Sequence, residues 1–239
     1  KIFNIFTVHS DSTILQHLRS STSPHSKQHL ALFLSARADP YTFQTVPIDQ
    51  QTTMTNVQFK IAVATRIFSP LLKHNEDLAQ PRTCICPACN GPSDVYGYHA
   101  YSCGKAGHAA RTQQHDALVN VWCGALRHAG YKVLHEPKGQ VLANGKRPDL
   151  ILRHVNGTSL FGDVRTCDPQ LPSHLNLAST TPGHAARLGE ASKIRDWQQT
   201  LDSQGDSFIA LCHERGGLIS DGALNLLKLA SQQISPSLG

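Results

Sequence analysis

The chain reads as an α/β protein in which helices flank a mixed sheet, with a small cysteine-rich module and a helical linker segment ahead of it. Three observations predict this. From residue 111 onward the order is helix, three strands, helix, strand, helix, the pattern of a sheet covered on its faces. Two of the strand-like runs are joined by Asn156-Gly157, a strong hairpin signal. Four cysteines, Cys84, Cys86, Cys89 and Cys103, crowd into a short stretch, a density that suits metal ligation.

The elements follow in order. Residues 1 to 30 are rich in Ser, Thr and His with little periodicity, and a ragged lead-in is expected there. HLALFLSARA (29–38) predicts a short helix. TMTNVQFKIAVATRIFSPLL predicts a helix capped by Thr53 or Thr55, with Val57, Ile61, Ala64 and Ile67 or Phe68 at near-helical spacing and Pro70 as the stop. Residues 1–80 thus form a helical linker, 81–108 the cysteine-rich module and 109–239 the α/β domain.

In that domain, RTQQHDALVNVWCGALRHAG places Leu118, Val121, Trp122, Ala125, Leu126 and Ala129 on one helical stripe, with Gly130 ending it. YKVL, RPDLILRH and TSLFGDVRT predict strands. CDPQLPSHLNLASTTPG is expected to be a loop and HAARLGEASKIRDWQQTL a helix. SFIALCHE predicts a fourth strand, and SDGALNLLKLASQQI a closing helix capped by Ser220 or Asp221. Neither a dinucleotide-binding glycine fingerprint nor a phosphate loop occurs.

The bulk properties narrow the class. Hydrophobic content of 40% and a formal charge of +5, with fourteen histidines, fit a globular protein whose mild basic excess suits a polyanionic partner. No run approaches the roughly 18 apolar residues of a membrane span, and no charged-then-apolar leader is seen, so no membrane partner is expected. Seven cysteines, an odd number and clustered, fit a reducing, intracellular setting.

CICPACNGPSDVYGYHAYSC holds Cys86-x2-Cys89 and His99-x3-Cys103. Two close pairs of such ligands can each clamp one edge of the tetrahedron that Zn²⁺ requires. Pro87 and Gly91 favour the tight turn between the first two thiolates. Cys84 rivals Cys86 and His108 rivals His99 as ligands. A module with so little apolar content would take its folding energy from the metal, a structural role.

The hairpin carries one acid on each arm, Asp149 and Asp163. A three-residue loop, Val155-Asn156-Gly157, sets His154 opposite Thr158 and therefore Asp149 opposite Asp163, whereas a two-residue loop puts the acids on opposite faces. Side-by-side carboxylates repel, an arrangement that makes sense around a cation such as Mg²⁺. Pro148 before Asp149 suits an edge strand or a fraying end.

RPDLIL followed by GDVRT resembles the PD-(D/E)xK nuclease core. In order, CPACNGPSDVYGYHAYSCGKAGHAARTQQHDALV, RPDLIL…GDVRT, GEASKIRDW and FIALCHERGGLISDGALNLL are similar to the CCHC knuckle and restriction-like endonuclease at the C-terminal end of LINE-type (non-LTR) retrotransposon polyproteins. ALFLSARADP…VQFKIAVATRIF resembles the segment that joins the reverse transcriptase to the knuckle, so the likeness spans roughly residues 30 to 230. The resemblance implies a restriction-endonuclease-like fold and a nuclear enzyme that nicks DNA to prime reverse transcription, with the reverse transcriptase upstream and RNA as a further possible partner. It implies Mg²⁺ or Mn²⁺ held by Asp149 and Asp163, besides a structural Zn²⁺.

The family core places lysine two residues after the second acid; this chain has Arg165 there. Arginine stays protonated and cannot serve as a base. Lys193, on the next helix, is the carry-over, and Glu190 one turn before it is either a metal ligand or a charge partner. His115, near the start of the long helix, falls where the family places a residue close to the metal, and the Val164 carbonyl is a further candidate ligand. Glu136 lies on the strand leading to the hairpin. Lys105, Arg111, Lys146, Arg147 and Arg187, with Arg165, are the candidate phosphate contacts. Arg165 also leaves open a second reading, an inactive nuclease fold that binds nucleic acid through the knuckle and a basic surface.

Overall fold

The computed structural model describes residues 13–21, 25–36, 55–57, 60–61, 84–99, 103–105, 108–137, 145–153, 159–201 and 207–234. Its named elements, in chain order, are α1 (Ser26–Ala36), β1 (Cys84–Ile85), β2 (Pro92–Ser93), α2 (His108–His128), β3 (Lys132–His135), β4 (Leu150–Arg153), β5 (Ser159–Cys167), α3 (Pro172–Ala178), α4 (His184–Leu201), β6 (Ser207–Glu214) and α5 (Asp221–Ile234). Residues 13–20 are also helical, as are 56–57 and 60–61, while the rest of the helix expected after Thr53 lies outside the described residues. The contacts divide the chain into two compact units, residues 1–110 with 170–182, and 111–169 with 183–239.

In the first unit, α1 buries Leu30, Phe33 and Leu34 with Leu18. The stretch 167–183, expected to be a loop, contains α3 instead. Pro172 begins this helix, where a missing N–H costs nothing, and α3 lies against α1. Lys27 Nζ donates to Asn176 Oδ1 at 2.8 Å, and Gln170 Nε2 to the Gln28 carbonyl at 3.1 Å.

The second unit is a four-stranded mixed sheet in the order β3-β4-β5-β6, antiparallel except for the parallel β5–β6 pair. One face carries the larger core, in which Val119, Trp122, Cys123 and Leu126 of α2 meet Leu150, Leu152, Val164 and Leu211 of the strands and Ala223, Leu226 and Ala230 of α5. These α2 positions follow the i, i+3, i+4, i+7 rule. Val121, expected among them, is 67% exposed. It sits a third of a turn from Trp122, which places it over the edge of the buried stripe, and Ala125 is exposed for the same reason.

Gly130, at φ +87°, ends α2 as expected. Tyr131 N–H reaches the Leu126 carbonyl and Gly130 N–H the Arg127 carbonyl, satisfying two terminal acceptors. Trp122 Nε1 donates to His213 Nε2 at 2.6 Å, and burial pushes that imidazole down to about 4, so it stays a neutral acceptor.

The opposite face is covered by α4. Ala185 and Ala186 pack on Cys167, Ala210 and Cys212, and Trp197 packs on Ile151 and Phe161. Glu214, 3% exposed, holds the start of this helix by accepting from Ala185 N–H at 2.8 Å and Ala186 N–H at 3.3 Å. Gly189 lets the helix approach the sheet, because a Cβ there would lie 2.5 Å from Cys167 Sγ and 3.4 Å from Cys212 Sγ.

β4 is an inner strand, and Pro148, fully buried, stands just before it rather than at an exposed edge. Proline is tolerated there because the ladder begins after it.

Gly189→Ala sets a helix-propensity gain of about 1 kcal/mol against overpacking of about 1–3 kcal/mol. The sulfurs below are buried in strands and cannot swing away, so net destabilisation is expected, read as a lower urea midpoint. An unchanged or higher midpoint refutes this account of the helix–sheet contact.

Candidate functional site

The cysteine-rich module folds as a two-residue hairpin followed by a turn. Cys86 N–H bonds the Gly91 carbonyl at 2.9 Å, Asn90 N–H bonds the Cys86 carbonyl at 2.8 Å, and Gly91 N–H points at Cys89 Sγ at 3.3 Å. Asn90 takes φ +57°, a left-handed conformation that asparagine tolerates. Asp94 then organises the second half, with Oδ1 accepting from Tyr96 and Tyr98 N–H and Oδ2 from His99 N–H at 2.7 Å. Cys103 N–H bonds the His99 carbonyl, which brings the last thiol back to the first pair.

The ligand atoms of Cys86, Cys89, His99 and Cys103 all lie within 4.8 Å of one another. The Cys86–Cys103 sulfur separation is 3.8 Å, and that from Cys89 Sγ to His99 Nε2 is 3.2 Å. A tetrahedron with Zn–S bonds of about 2.3 Å has S–S edges of about 3.8 Å, so this group could hold a structural zinc ion. The backbone N–H groups of Cys89 and Ala88 push the Cys86 thiol down to about 6, favouring the thiolate a metal needs. Cys84 pairs with Ser93 in the hairpin; its side chain and that of His108, the two rival ligands, lie outside what the structure describes.

The second cluster grows from β4 and β5. Their register pairs Leu150 with Gly162 and Arg153 with Ser159, and just beyond the end of this ladder the Asp149 and Asp163 carboxyls lie within hydrogen-bond reach of each other. This is the register in which the two acids share a face; the loop itself, 154–158, lies outside the described residues. The Asp149 backbone is held on both sides, donating to the Gly162 carbonyl at 3.0 Å and accepting from Glu136 N–H at 2.9 Å. Glu136 takes φ +38° to make that contact, and its side chain is exposed.

Asp149 Oδ2 accepts from Val164 N–H at 2.7 Å, and its Oδ1 lies 3.3 Å from His115 Nε2 on α2. Asp163, 7% exposed, accepts at Oδ2 from Lys193 Nζ at 2.5 Å and from Trp197 Nε1 at 2.9 Å. Burial, and then the Asp163 carboxyl beside it, push the Asp149 carboxyl up to about 6, against the pull of Val164 N–H and His115. A carboxyl raised by burial and by a second acid marks a place where a cation would be welcome, and the hard oxygens of the pair fit Mg²⁺ or Mn²⁺.

Of the residues singled out in the sequence, Asp149, Asp163, Lys193 and His115 come together. Glu190 is engaged elsewhere, its Oε1 accepting from Gly222 N–H at 2.9 Å in the first turn of α5. That bond satisfies a helix-start donor, the role of a cap.

Arg165 follows Asp163 by two residues on the same face of β5, with its Cδ beside Gly189, and is exposed. Arg111, one turn before His115, and Arg147, two residues before Asp149, are exposed nearby in sequence. Lys146 Nζ donates to the Asp196 carbonyl and lies 5.8 Å above the Trp197 ring. Arg187 lies against Gly183 at the start of α4, about 9 Å along the helix from Lys193. Lys105 is exposed in the cysteine-rich unit. Trp197 went unnoticed in the sequence, although it stands four residues after Lys193, the spacing that puts both on one helix face.

Comparison with known protein families and with curated proteins returns no match. What the chain carries is a mixed α/β fold with a Cys₃His group, and no helix among the described residues is long and apolar enough to cross a membrane.

Two outcomes follow from this geometry. The chain should bind one equivalent of Zn²⁺ at the cysteine group, and Cys103→Ser should weaken it at least tenfold in a competition titration. Equal affinity in the variant removes Cys103 from the ligand set. For Asp149 the sign is fixed by its raised value: between about 4 and 6 the folded chain holds a proton that the unfolded chain has lost. Its contribution to stability in the absence of divalent cations is therefore most favourable below pH 4 and falls as pH rises through 6. Asp149→Asn, compared with the unaltered chain across pH 4 to 8, should gain on the order of 1–2 kcal/mol toward the high end after allowance for partial solvation. A pH-independent difference between the two refutes the shift.

Proposed function

We propose that the chain is a divalent-metal-dependent DNA endonuclease that nicks one strand, with Asp149 and Asp163 as its metal cradle. The observation that carries the reading is the meeting of two repelling carboxylates, on neighbouring inner strands, with a lysine on one of them and a histidine on the other. When bound, Mg²⁺ or Mn²⁺ supplies Lewis acidity toward a phosphate oxygen and makes a water more acidic.

The protein's own groups do the rest. Asp149 is locked by its backbone bonds and by Val164 N–H, so its carboxylate does not reorganise during the reaction. Lys193 neutralises part of the acidic charge and presents an ammonium where negative charge develops on the phosphate. His115 fixes the outer Asp149 oxygen from α2. Arg165, on the Asp163 face, steadies the scissile or a neighbouring phosphate. Arg111 and Arg147 extend that positive border, giving salt-dependent contacts without base preference. Zn²⁺ in the cysteine group is structural in this scheme, and the setting is nuclear, beside a reverse transcriptase whose synthesis the nick primes.

The second reading, a nucleic-acid-binding module without catalysis, is favoured by one feature, Arg165 in the place the nuclease core gives to lysine.

Supercoiled plasmid separates the two. Zinc-loaded chain should convert it to open circle with Mg²⁺ or Mn²⁺ and not with EDTA. Asp163→Ala and Lys193→Ala should each slow nicking by about 10²–10³. Retained DNA binding with no cleavage by the unaltered chain, in either metal, rules out the nuclease reading and leaves the binding module.

A further inference from the structure

We propose that Trp197 is a positioning residue of the acidic site: its indole N–H, with Lys193, claims one oxygen of Asp163 and so turns the other toward the cation. This inference rests on the metal cradle proposed above. Trp197 Nε1 and Lys193 Nζ both donate to Oδ2, and the Asp149 carboxyl lies within hydrogen-bond reach of the same side chain. Indole is a donor only and its ring cannot turn here. It stacks on Phe208 with centroids 4.8 Å apart and planes 11° apart, packs on Ile151 and Phe161, and is 3% exposed.

The plainer account is a core tryptophan that found the nearest acceptor, since buried indole N–H groups need one. Two observations go beyond it. The chosen acceptor is the oxygen that Lys193 also takes, four residues earlier on the same helix, so the two donors act as a pair. The same turn of α4 is tied to the segment leading into Asp149, because Lys146 donates to the Asp196 carbonyl and sits over the Trp197 ring. One ring therefore borders the chain at both acids, and a shift in it would move the two carboxylates relative to each other.

Trp197→Phe removes the N–H and keeps the aromatic stack. In the zinc-loaded full chain, Mn²⁺ affinity measured by electron paramagnetic resonance should fall roughly ten- to hundredfold, with the thermal midpoint nearly unchanged. A folded variant that binds Mn²⁺ as the unaltered chain does overturns the proposal and leaves the nuclease reading standing. An unaltered chain that binds no Mn²⁺ overturns both. If the variant does not fold, the unaltered chain labelled with ¹⁵N-tryptophan answers instead. Of its two indole N–H signals, Mg²⁺ should shift one, assigned to Trp197 with Trp122→Phe, and Asp163→Asn should abolish the shift. Indole signals indifferent to Mg²⁺ overturn the proposal.

Discussion

Two carboxylates side by side on neighbouring strands repel each other, and much of the second unit is arranged around that repulsion. Asp163 is nearly buried in an inner strand, where an ionised carboxylate without partners would be expelled or protonated. Lys193 and Trp197 keep it in place, and both come from α4. The position of that helix is therefore a condition of the site. Glu214 satisfies its first N–H groups and Gly189 lets it descend onto Cys167 and Cys212. A bulkier residue at 189 would lift the helix and withdraw both donors from Asp163 together. The electrostatics of the acids and the packing of the helix are in this sense one constraint.

The first unit meets a different difficulty. Its cysteine-rich stretch has strands of only two residues, too short for a sheet ladder alone to order it. The backbone compensates locally. Asp94 gathers three consecutive-turn N–H groups and sets His99, while the Cys86–Gly91 turn aims two thiols the same way. What remains is four ligand atoms within 4.8 Å of one another, of which the Cys86 thiol is already pulled toward its thiolate by backbone N–H groups. A metal bound there would supply folding energy. Both units thus hold a group of negative or soft donors that a cation would relieve, one built on a hairpin and one on a sheet.

Much of this was legible in the chain itself. The run SFIALCHE and the helix from His184 to Leu201 fall where composition and spacing place them, because long periodic segments bury a definite face. The strand register was narrowed to two alternatives and no further, since Asn-Gly serves loops of either length and a one-residue slip exchanges the faces. In sequence Val121 looks as apolar as the tryptophan beside it, and only the neighbouring strands decide which side of the stripe is covered. The seven residues of α3, beginning at proline, carry too little periodicity to mark a helix in sequence. Trp197 was hidden for another reason: its hydrogen bond depends on how close α4 lies to β5, which the glycine at 189 allows and sequence spacing does not reveal.

Glu190 shows how acids that look alike part company. Its spacing from Lys193 made a metal ligand and a charge partner equally reasonable, yet its carboxylate goes to a backbone N–H at the start of α5. Glu214 and Asp94 are used in the same manner, and Asp168 is paired with Arg215 at 2.9 Å. Each of these acids is satisfied by a donor. Asp149 and Asp163 differ, because a folded chain seeking only stability gains nothing from facing one acid with another. Hydrogen bonds from Val164, Lys193 and Trp197 hold the pair in place, yet Asp149 is still pushed up by burial and by its neighbour. Strain that local donors maintain rather than relieve is the physical mark by which these two acids, and not the others, qualify as the candidate working centre.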